Sequence, residues 1–177
     1  AAERSFTLTQ NLGFPDGKQD PYVCALGGFV AFEIDPRGVV TIIRPDIPAG
    51  TIQKFLENCL FFYTGIRRDS DPILSLQAKP DVISLKHRTK EIGYKIYRCF
   101  LRGDLDVFGA LMDEHWQIKK SMGGTTSQFF DFIYESAKAS GALGGKILGA
   151  GGGGYFLFYC PTRDAKENVR RALKKFD

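Results

Sequence analysis

The most distinctive chemistry of the sequence lies in one stretch of glycines. Residues 141–154 read Gly-Ala-Leu-Gly-Gly-Lys-Ile-Leu-Gly-Ala-Gly-Gly-Gly-Gly and hold eight of the 20 glycines. Ordering glycine costs much conformational entropy, so such a run indicates a backbone that takes positive φ angles or approaches another group closely. Successive N–H groups of this kind bind phosphate oxygens. A turn that lets a helix pack against a sheet would have the same composition.

Charged side chains stand at the predicted ends of two elements. Asp20 precedes Pro21 at a predicted helix start, where its carboxylate caps the helix or remains ionised to accept a proton. Lys18 would steady this aspartate or a phosphate, or be simply solvated. Arg67 and Arg68 follow a predicted strand, where a guanidinium group can grip a phosphate or lie exposed in a loop.

Histidines and cysteines do not indicate a metal or disulfide site. The chain has two histidines, His87 and His115, and four cysteines whose successive positions are 35, 40 and 61 apart. Zinc sites and redox dithiols need closer pairs, and small disulfide-rich domains need a denser set. We therefore expect free thiols and a cytoplasmic location, and any metal would be held by oxygen ligands.

Composition limits the class of protein further. The 177 residues are 44% hydrophobic and 13% aromatic with a net charge of +4, which is typical of one folded domain, alone or with part of another. The charges are spread along the chain, so no nucleic-acid partner is expected. The apolar stretch 141–160 contains eight glycines and Lys146, so no membrane span is expected.

Periodicity and turn residues predict an α+β order of elements. Two short helices and a hairpin, 29–34 with 39–44, come first, and a buried strand follows at 60–64. A helix begins at Asp71, an antiparallel helix pair follows, and Thr125 with Gln128 forms a capping-box pattern before another helix. The predicted helices after this strand are 71–79, 84–101, 104–120, 125–140 and 163–176. A strand is predicted on each side of the glycine run, the second at 155–160.

Two blocks of the sequence resemble signatures of the GHMP kinase superfamily. The first is Gly17-Lys18-Gln19-Asp20-Pro21-Tyr22 with Gly27-Gly28-Phe29 behind it, and the second is the glycine run. Pro21 departs from the pattern, since relatives more often carry glutamine there. Residues 62–68, His115-Trp116 and Lys119-Lys120 resemble the branch of sugar kinases that act on D-glycero-D-manno-heptose 7-phosphate.

The resemblance implies a domain organisation. Residues 46–177 would be a ferredoxin-like GHMP kinase C-terminal domain, and residues 1–45 the tail of a ribosomal-protein-like α/β N-terminal domain. The family's ATP-binding block, Pro-x-x-x-Gly-Leu-Gly-Ser-Ser-Ala, is absent from the sequence and is expected upstream of Ala1. We therefore expect a fragment that is inactive alone. Its apolar surface near Val30 and Phe32 should lead it to self-associate or be covered by a partner chain.

The resemblance also implies an activity and a site. The chain would belong to an ATP- and Mg²⁺-dependent kinase that phosphorylates a sugar phosphate, with the anomeric hydroxyl of heptose 7-phosphate as the expected acceptor. A kinase acting on fucose or galactose, and a non-catalytic ligand-binding module of the same fold, are the alternatives. The implied residues are Asp20 and Lys18 for catalysis, Gly149, Ala150, Gly151, Gly152 and Gly153 for the nucleotide, and Thr64, Gly65, Arg67, Arg68 and Lys119 for the substrate.

Overall fold

The chain forms two compact units, Ala1–Asp46 and Ile47–Asp177. The computed structural model describes residues 1–14, 16–67, 73–74 and 80–176. None of the helices within these ranges is long and apolar enough to cross a bilayer. The assignment of the first residues to the tail of an N-terminal domain stays a prediction.

The first unit contains two helices and a two-stranded antiparallel sheet. Its elements are α1 (Ala2–Asn11), α2 (Gln19–Leu26), β1 (Ala31–Ile34) and β2 (Val40–Ile43). The predicted hairpin is confirmed. Asp35 closes its turn, because the Asp35 carbonyl accepts from the Gly38 N–H at 2.9 Å and its carboxylate accepts from the Val39 N–H at 2.9 Å. Phe32 is half-buried and packs edge-on against Tyr22.

The second unit has the α+β order that the sequence predicts. Its elements are α3 (Ala49–Asn58), β3 (Cys59–Tyr63), α4 (Ile83–Arg102), α5 (Leu105–Ser121), α6 (Gln128–Ala139), β4 (Gly144–Ile147), β5 (Tyr155–Tyr159) and α7 (Arg163–Leu173). Short 3₁₀ helices, Pro80–Val82 and Lys174–Phe176, precede α4 and follow α7. The helix predicted over 71–79 falls largely outside the described residues.

The sheet of this unit has the strand order β3-β5-β4, and both strand pairs are antiparallel. The central strand places Phe156 and Phe158 in register with Phe62 and Leu60 of β3. Their rings are fully buried against apolar residues of α6 and α7, including Ile133, Tyr134, Val169 and Leu173. Because β4 and β5 are paired, the glycine run between them forms a loop whose two ends are fixed by the core.

Helices α4 and α5 form the predicted antiparallel pair. Gly103 makes the turn with φ +78°, and Phe100 packs on Phe108 next to it with ring centroids 5.3 Å apart. Helix α5 lies directly against strand β4, because a Cβ atom at Gly144 would come within 2.1 Å of the Gly109 carbonyl oxygen. Only glycine permits this approach, which holds the end of α5 close to the glycine loop.

Three local predictions need correction. The N-cap of α6 is Ser127, whose hydroxyl accepts from the Phe130 N–H, and not Thr125. Helix α2 begins at Gln19, so Asp20 lies within its first turn and no side chain caps the helix. Helix α3 was not predicted, because its N-cap is Pro48 and it lacks the polar capping residue that marks a helix start.

Candidate functional site

The glycine loop, residues 149–154, is held on one side by the chain that follows β3. The Gly154 carbonyl accepts from both the backbone N–H and the hydroxyl of Thr64, each at 2.9 Å. The Gly154 N–H donates to the Ile66 carbonyl at 3.0 Å. Thr64 is only 2% exposed, so its hydroxyl supports the loop from beneath.

A second set of contacts holds the loop from the end of α5 and the segment that follows it. The Gly152 N–H donates to the Thr125 carbonyl at 2.9 Å, and the Thr125 hydroxyl donates to the Lys119 carbonyl at 3.0 Å. The Lys119 ammonium group also bonds the Gly149 carbonyl. Lys119, predicted to bind substrate, thus also fixes the position of the loop. Sequence reasoning missed Thr125 as an anchor because its spacing to Gln128 matched a helix cap.

Gly151 shows why the loop needs glycine. Its φ is +106°, and an added Cβ atom would lie 2.9 Å from the Thr125 Cβ atom. Within the described part of the chain, the amide groups of Gly149, Gly151 and Gly153 donate no hydrogen bond. A loop with fixed ends and available N–H groups can bind the oxygens of a phosphate group.

The structure brings three of the predicted substrate residues next to this loop. Thr64, Gly65 and Arg67 flank Ile66, whose carbonyl accepts from Gly154. Gly65 and Arg67 are exposed, and Arg67 directly follows Ile66, which anchors the loop. Arg68 lies outside the described residues.

Asp20 lies in the first unit and lines a cavity of about 500 Å³. The other polar side chains of the lining are Ser5, Thr9, Asp16 and Cys24. Within the described ranges the Asp20 carboxylate makes no hydrogen bond, and it does not cap α2. The N-terminal turn of a helix stabilises a negative charge. The structure therefore leaves this carboxylate available to a ligand.

Lys18, two residues from Asp20, has structural partners. Its ammonium group bonds a Glu3 carboxylate oxygen at 2.5 Å and the Gly38 carbonyl at 2.6 Å, and it lies over the Phe6 ring. Hydrogen bonds from Lys18 and then Tyr22 lower the pKa of Glu3. Lys18 thus connects α1 to the hairpin turn, and its role in catalysis stays a prediction.

The residues of α5 that precede Lys119 have different surroundings. Trp116 is fully buried between Tyr134 and Phe156, so it belongs to the core. His115 is half-buried and lines a small pocket. Burial, followed by the charges of Lys146 and Lys119, lowers the pKa of His115 to about 3.

The described residues contain neither a metal-binding cluster nor a disulfide. No group of three or more His, Cys, Asp or Glu side chains in the described ranges could hold a metal ion. All four cysteines are free thiols, and three of them are buried. Burial raises the pKa of the Cys59 thiol to about 12, and that of the Cys160 thiol to about 11.

The second unit is an α+β domain in which a glycine-rich loop joins two paired strands, and comparison with known proteins shows what this domain resembles. Residues 96–177 match the protein family described as GHMP kinases C terminal. This part of the chain resembles the C-terminal domain of GHMP kinases. The match begins within α4 and includes the whole glycine loop.

Two similar proteins extend the likeness over most of the chain. The D-glycero-alpha-D-manno-heptose 7-phosphate kinase of Campylobacter jejuni is 29% identical over 174 residues, which are 94% of this chain and 50% of that protein. The crystal structure of a D-glycero-D-manno-heptose 1-phosphate kinase from Bacteriodes thetaiotaomicron has a TM-score of 0.69 at 25% identity. That match covers 94% of this chain and 45% of the other.

A third relative acts on a different acceptor. A mevalonate kinase of Methanothermobacter thermautotrophicus is 36% identical over 83 residues, 46% of this chain and 27% of that protein. The chain spans about half or less of the length of these relatives. The chain is therefore similar to kinases that act on different acceptors, and the similarity does not choose the acceptor.

Proposed function

We propose that this chain carries part of the active site of an ATP-dependent sugar kinase that phosphorylates the anomeric hydroxyl of D-glycero-D-manno-heptose 7-phosphate. The anchored glycine loop carries the proposal, because its ends are fixed while three of its amide groups donate no hydrogen bond within the described residues. The similarity to two heptose phosphate kinases supports the choice of acceptor.

The loop's part in the reaction is to bind phosphate oxygens of ATP. Phosphoryl transfer depends on positioning and on stabilising charge that spreads over the phosphoryl oxygens. The amides of Gly149, Gly151 and Gly153 can donate to these oxygens without moving the loop, because Thr64, Thr125 and Lys119 already hold it. Such prearranged donors avoid the cost of reorganising during the reaction.

Asp20 would act on the acceptor. An ionised carboxylate without a hydrogen-bond partner among the described residues can orient the sugar hydroxyl and accept its proton as the phosphoryl group transfers. Arg67 would pair with the phosphate already on the sugar, because its guanidinium group is exposed beside the loop anchors. Arg68 and Lys18 remain candidates for the same tasks.

Bound Mg²⁺ would supply charge neutralisation at the phosphates. The described residues contain no cluster of three or more candidate side-chain ligands for this ion. We propose a cytoplasmic location, because ATP is supplied there and all four cysteines are free thiols.

A substrate panel tests the function. The protein encoded by the complete gene is incubated with ATP and, separately, heptose 7-phosphate, fucose, galactose or mevalonate, and the products are followed by ³¹P NMR. We expect an anomeric phosphate on the heptose and a kcat/KM at least tenfold above that of each other acceptor. Preferred turnover of fucose, galactose or mevalonate would contradict the acceptor, and no turnover of any would favour the ligand-binding module.

A further inference from the structure

A small basic pocket lies between α4 and α5. The loop residues with available amides, Gly149, Gly151 and Gly153, do not line it. Its volume is about 200 Å³, and it is lined by Lys86, Thr89, His115, Lys119 and Met122. Lys86 and Thr89 lie one turn apart on α4, and His115 and Lys119 one turn apart on α5. The two helices run antiparallel, which brings the start of α4 to the end of α5.

The charged side chains that line this pocket are all positive. Lys86 and Lys119 line it, the charges of Lys146 and Lys119 act on His115, and none of the lining residues is acidic among those the structure describes. The Glu114 carboxylate, next to His115 in sequence, pairs with Arg88 at 3.6 Å. Nearby positive charges repel one another, so the empty arrangement is electrostatically unfavourable and an anion would relieve it.

Two of these lysines have no internal partner. Within the described ranges Lys86 and Lys146 make no hydrogen bond or ion pair, and burial lowers the pKa of Lys146. Lys119 bonds the Gly149 carbonyl, and the Thr89 hydroxyl donates to the Leu85 carbonyl. Among the lining residues, the donors available to a ligand are therefore chiefly Lys86 and the His115 ring.

The size of the pocket limits the ligand. Pockets that enclose drug-sized molecules measure about 300–1,000 Å³, whereas this one measures about 200 Å³. It suits a single phosphoryl group better than a nucleoside. Lysine ammonium groups and a histidine ring recognise phosphate through charge-assisted hydrogen bonds.

We propose that the pocket formed by Lys86, His115 and Lys119 is a binding site for one phosphoryl group. The group is either the phosphate of a small phosphomonoester or the terminal phosphate of a nucleotide. Because Lys119 also bonds Gly149, an anion here would compete with that contact and so influence the glycine loop. The site stands on the second unit alone and does not depend on the proposed kinase reaction.

The test uses the 177-residue chain and follows the ring resonances of its two histidines by NMR during titration with inorganic phosphate. Sodium chloride at matched ionic strength is the reference. We expect phosphate to raise the pKa of His115, because a bound anion favours the charged ring, and to leave His87 unchanged. No effect on His115 beyond that of chloride would overturn the proposal.

Variants locate the site. Lys86→Met should weaken phosphate binding about tenfold or more, since a charge-assisted hydrogen bond is lost, and Lys86→Arg should restore most of it. Lys95→Met on the same helix is the control, because Lys95 is exposed and does not line the pocket. Phosphate binding that is insensitive to Lys86→Met, or equally weakened by Lys95→Met, would overturn the proposal. Lys86 is exposed, so its replacement should leave the fold intact.

Two further titrations distinguish the source of the phosphoryl group. Ribose 5-phosphate represents small phosphomonoesters, and ATP represents nucleotides. If the His115 shift and the Lys86→Met sensitivity occur with ribose 5-phosphate alone, the site takes a sugar phosphate; if they occur with ATP alone, it takes a terminal nucleotide phosphate. Either result supports the site. If Lys86→Met weakens the binding of none of the three phosphate ligands, the proposal is refuted.

Discussion

The glycine loop and the Asp20 cavity differ in how firmly hydrogen bonds hold their polar groups. The loop is fixed by Thr64, Ile66, Thr125 and Lys119, so its amide donors are preset by the backbone. Asp20 lies exposed in the first turn of α2 and makes no hydrogen bond with any described residue. Under the proposed function, the loop would contribute geometry and Asp20 would contribute chemistry. Mutations should therefore separate stability effects from kinetic ones.

The largest expected effect follows from Asp20→Asn in the protein encoded by the complete gene. If Asp20 accepts the hydroxyl proton, kcat falls by about 10²–10⁴-fold while the affinity for ATP hardly changes. The free energy of unfolding should stay within about 0.5 kcal/mol, because the carboxylate has no partner to lose among the described residues. Steady-state kinetics at saturating ATP and sugar and urea unfolding measure the two quantities.

Asp16→Asn is the matched control for this variant, since Asp16 lines the same cavity. We expect kcat to change by less than about tenfold there, because the charge of a neighbouring carboxylate alters only the surrounding field. A wild-type kcat for Asp20→Asn would remove Asp20 from the reaction. Equal losses in both variants would indicate a general electrostatic effect and not a specific base.

On the loop side, the strongest effect on stability is expected from Gly151→Ala. Alanine at φ +106° is strained, and its Cβ atom would lie 2.9 Å from the Thr125 Cβ atom, so the anchor must move. We expect a loss of about 2–3 kcal/mol in the free energy of unfolding, measured by urea denaturation.

Gly149→Ala provides the comparison within the same loop. Its φ is +67°, but an added Cβ atom has no neighbour within 4 Å, so only the backbone strain of about 1 kcal/mol remains. Equal losses at the two positions would mean that the close approach to Thr125 does not hold the loop.

Residues of the two regions also differ in how far the sequence alone could reveal them. The glycine run and Asp20 were recognisable because glycine density and a carboxylate beside proline are local signals. The anchoring role of Thr125 was not, because it depends on a contact with Gly152 27 residues away. The order of the elements was predictable from periodicity, whereas α3 lacked a capping signal.

Charge near the loop produces a smaller, pH-dependent effect. The pKa of His115 is lowered from 6.5 to about 3, so the unfolded chain binds a proton there in a range where the folded chain does not. The neutral His115 ring therefore contributes folding stability that is fully present above pH 6.5 and is lost as the pH falls toward 3. Because His115 is only half-buried, we expect about 1 kcal/mol of loss between pH 6.5 and pH 5.

Urea unfolding at several pH values measures this loss, with histidine variants to isolate it. In His115→Gln the pH dependence over this range should be smaller than in the wild type by that amount. His87→Gln should keep the wild-type dependence, because His87 is exposed and does not line the basic pocket. A His115→Gln curve parallel to the wild-type curve would show that His115 titrates normally.

The smallest effect concerns the start of α6, the helix that follows the Thr125 anchor. Ser127→Ala removes a hydroxyl that accepts from the Phe130 N–H at 3.5 Å, a long bond, so the expected loss of unfolding free energy is about 0.5 kcal/mol. Ser127→Asp should restore it, since aspartate caps well and favours the helix N-terminus. Thr125→Val, which keeps the size of the side chain, should cost about 1 kcal/mol because the buried bond to the Lys119 carbonyl is lost. If Ser127→Ala were instead the costlier variant, the capping interaction would matter more to the loop than its direct anchor.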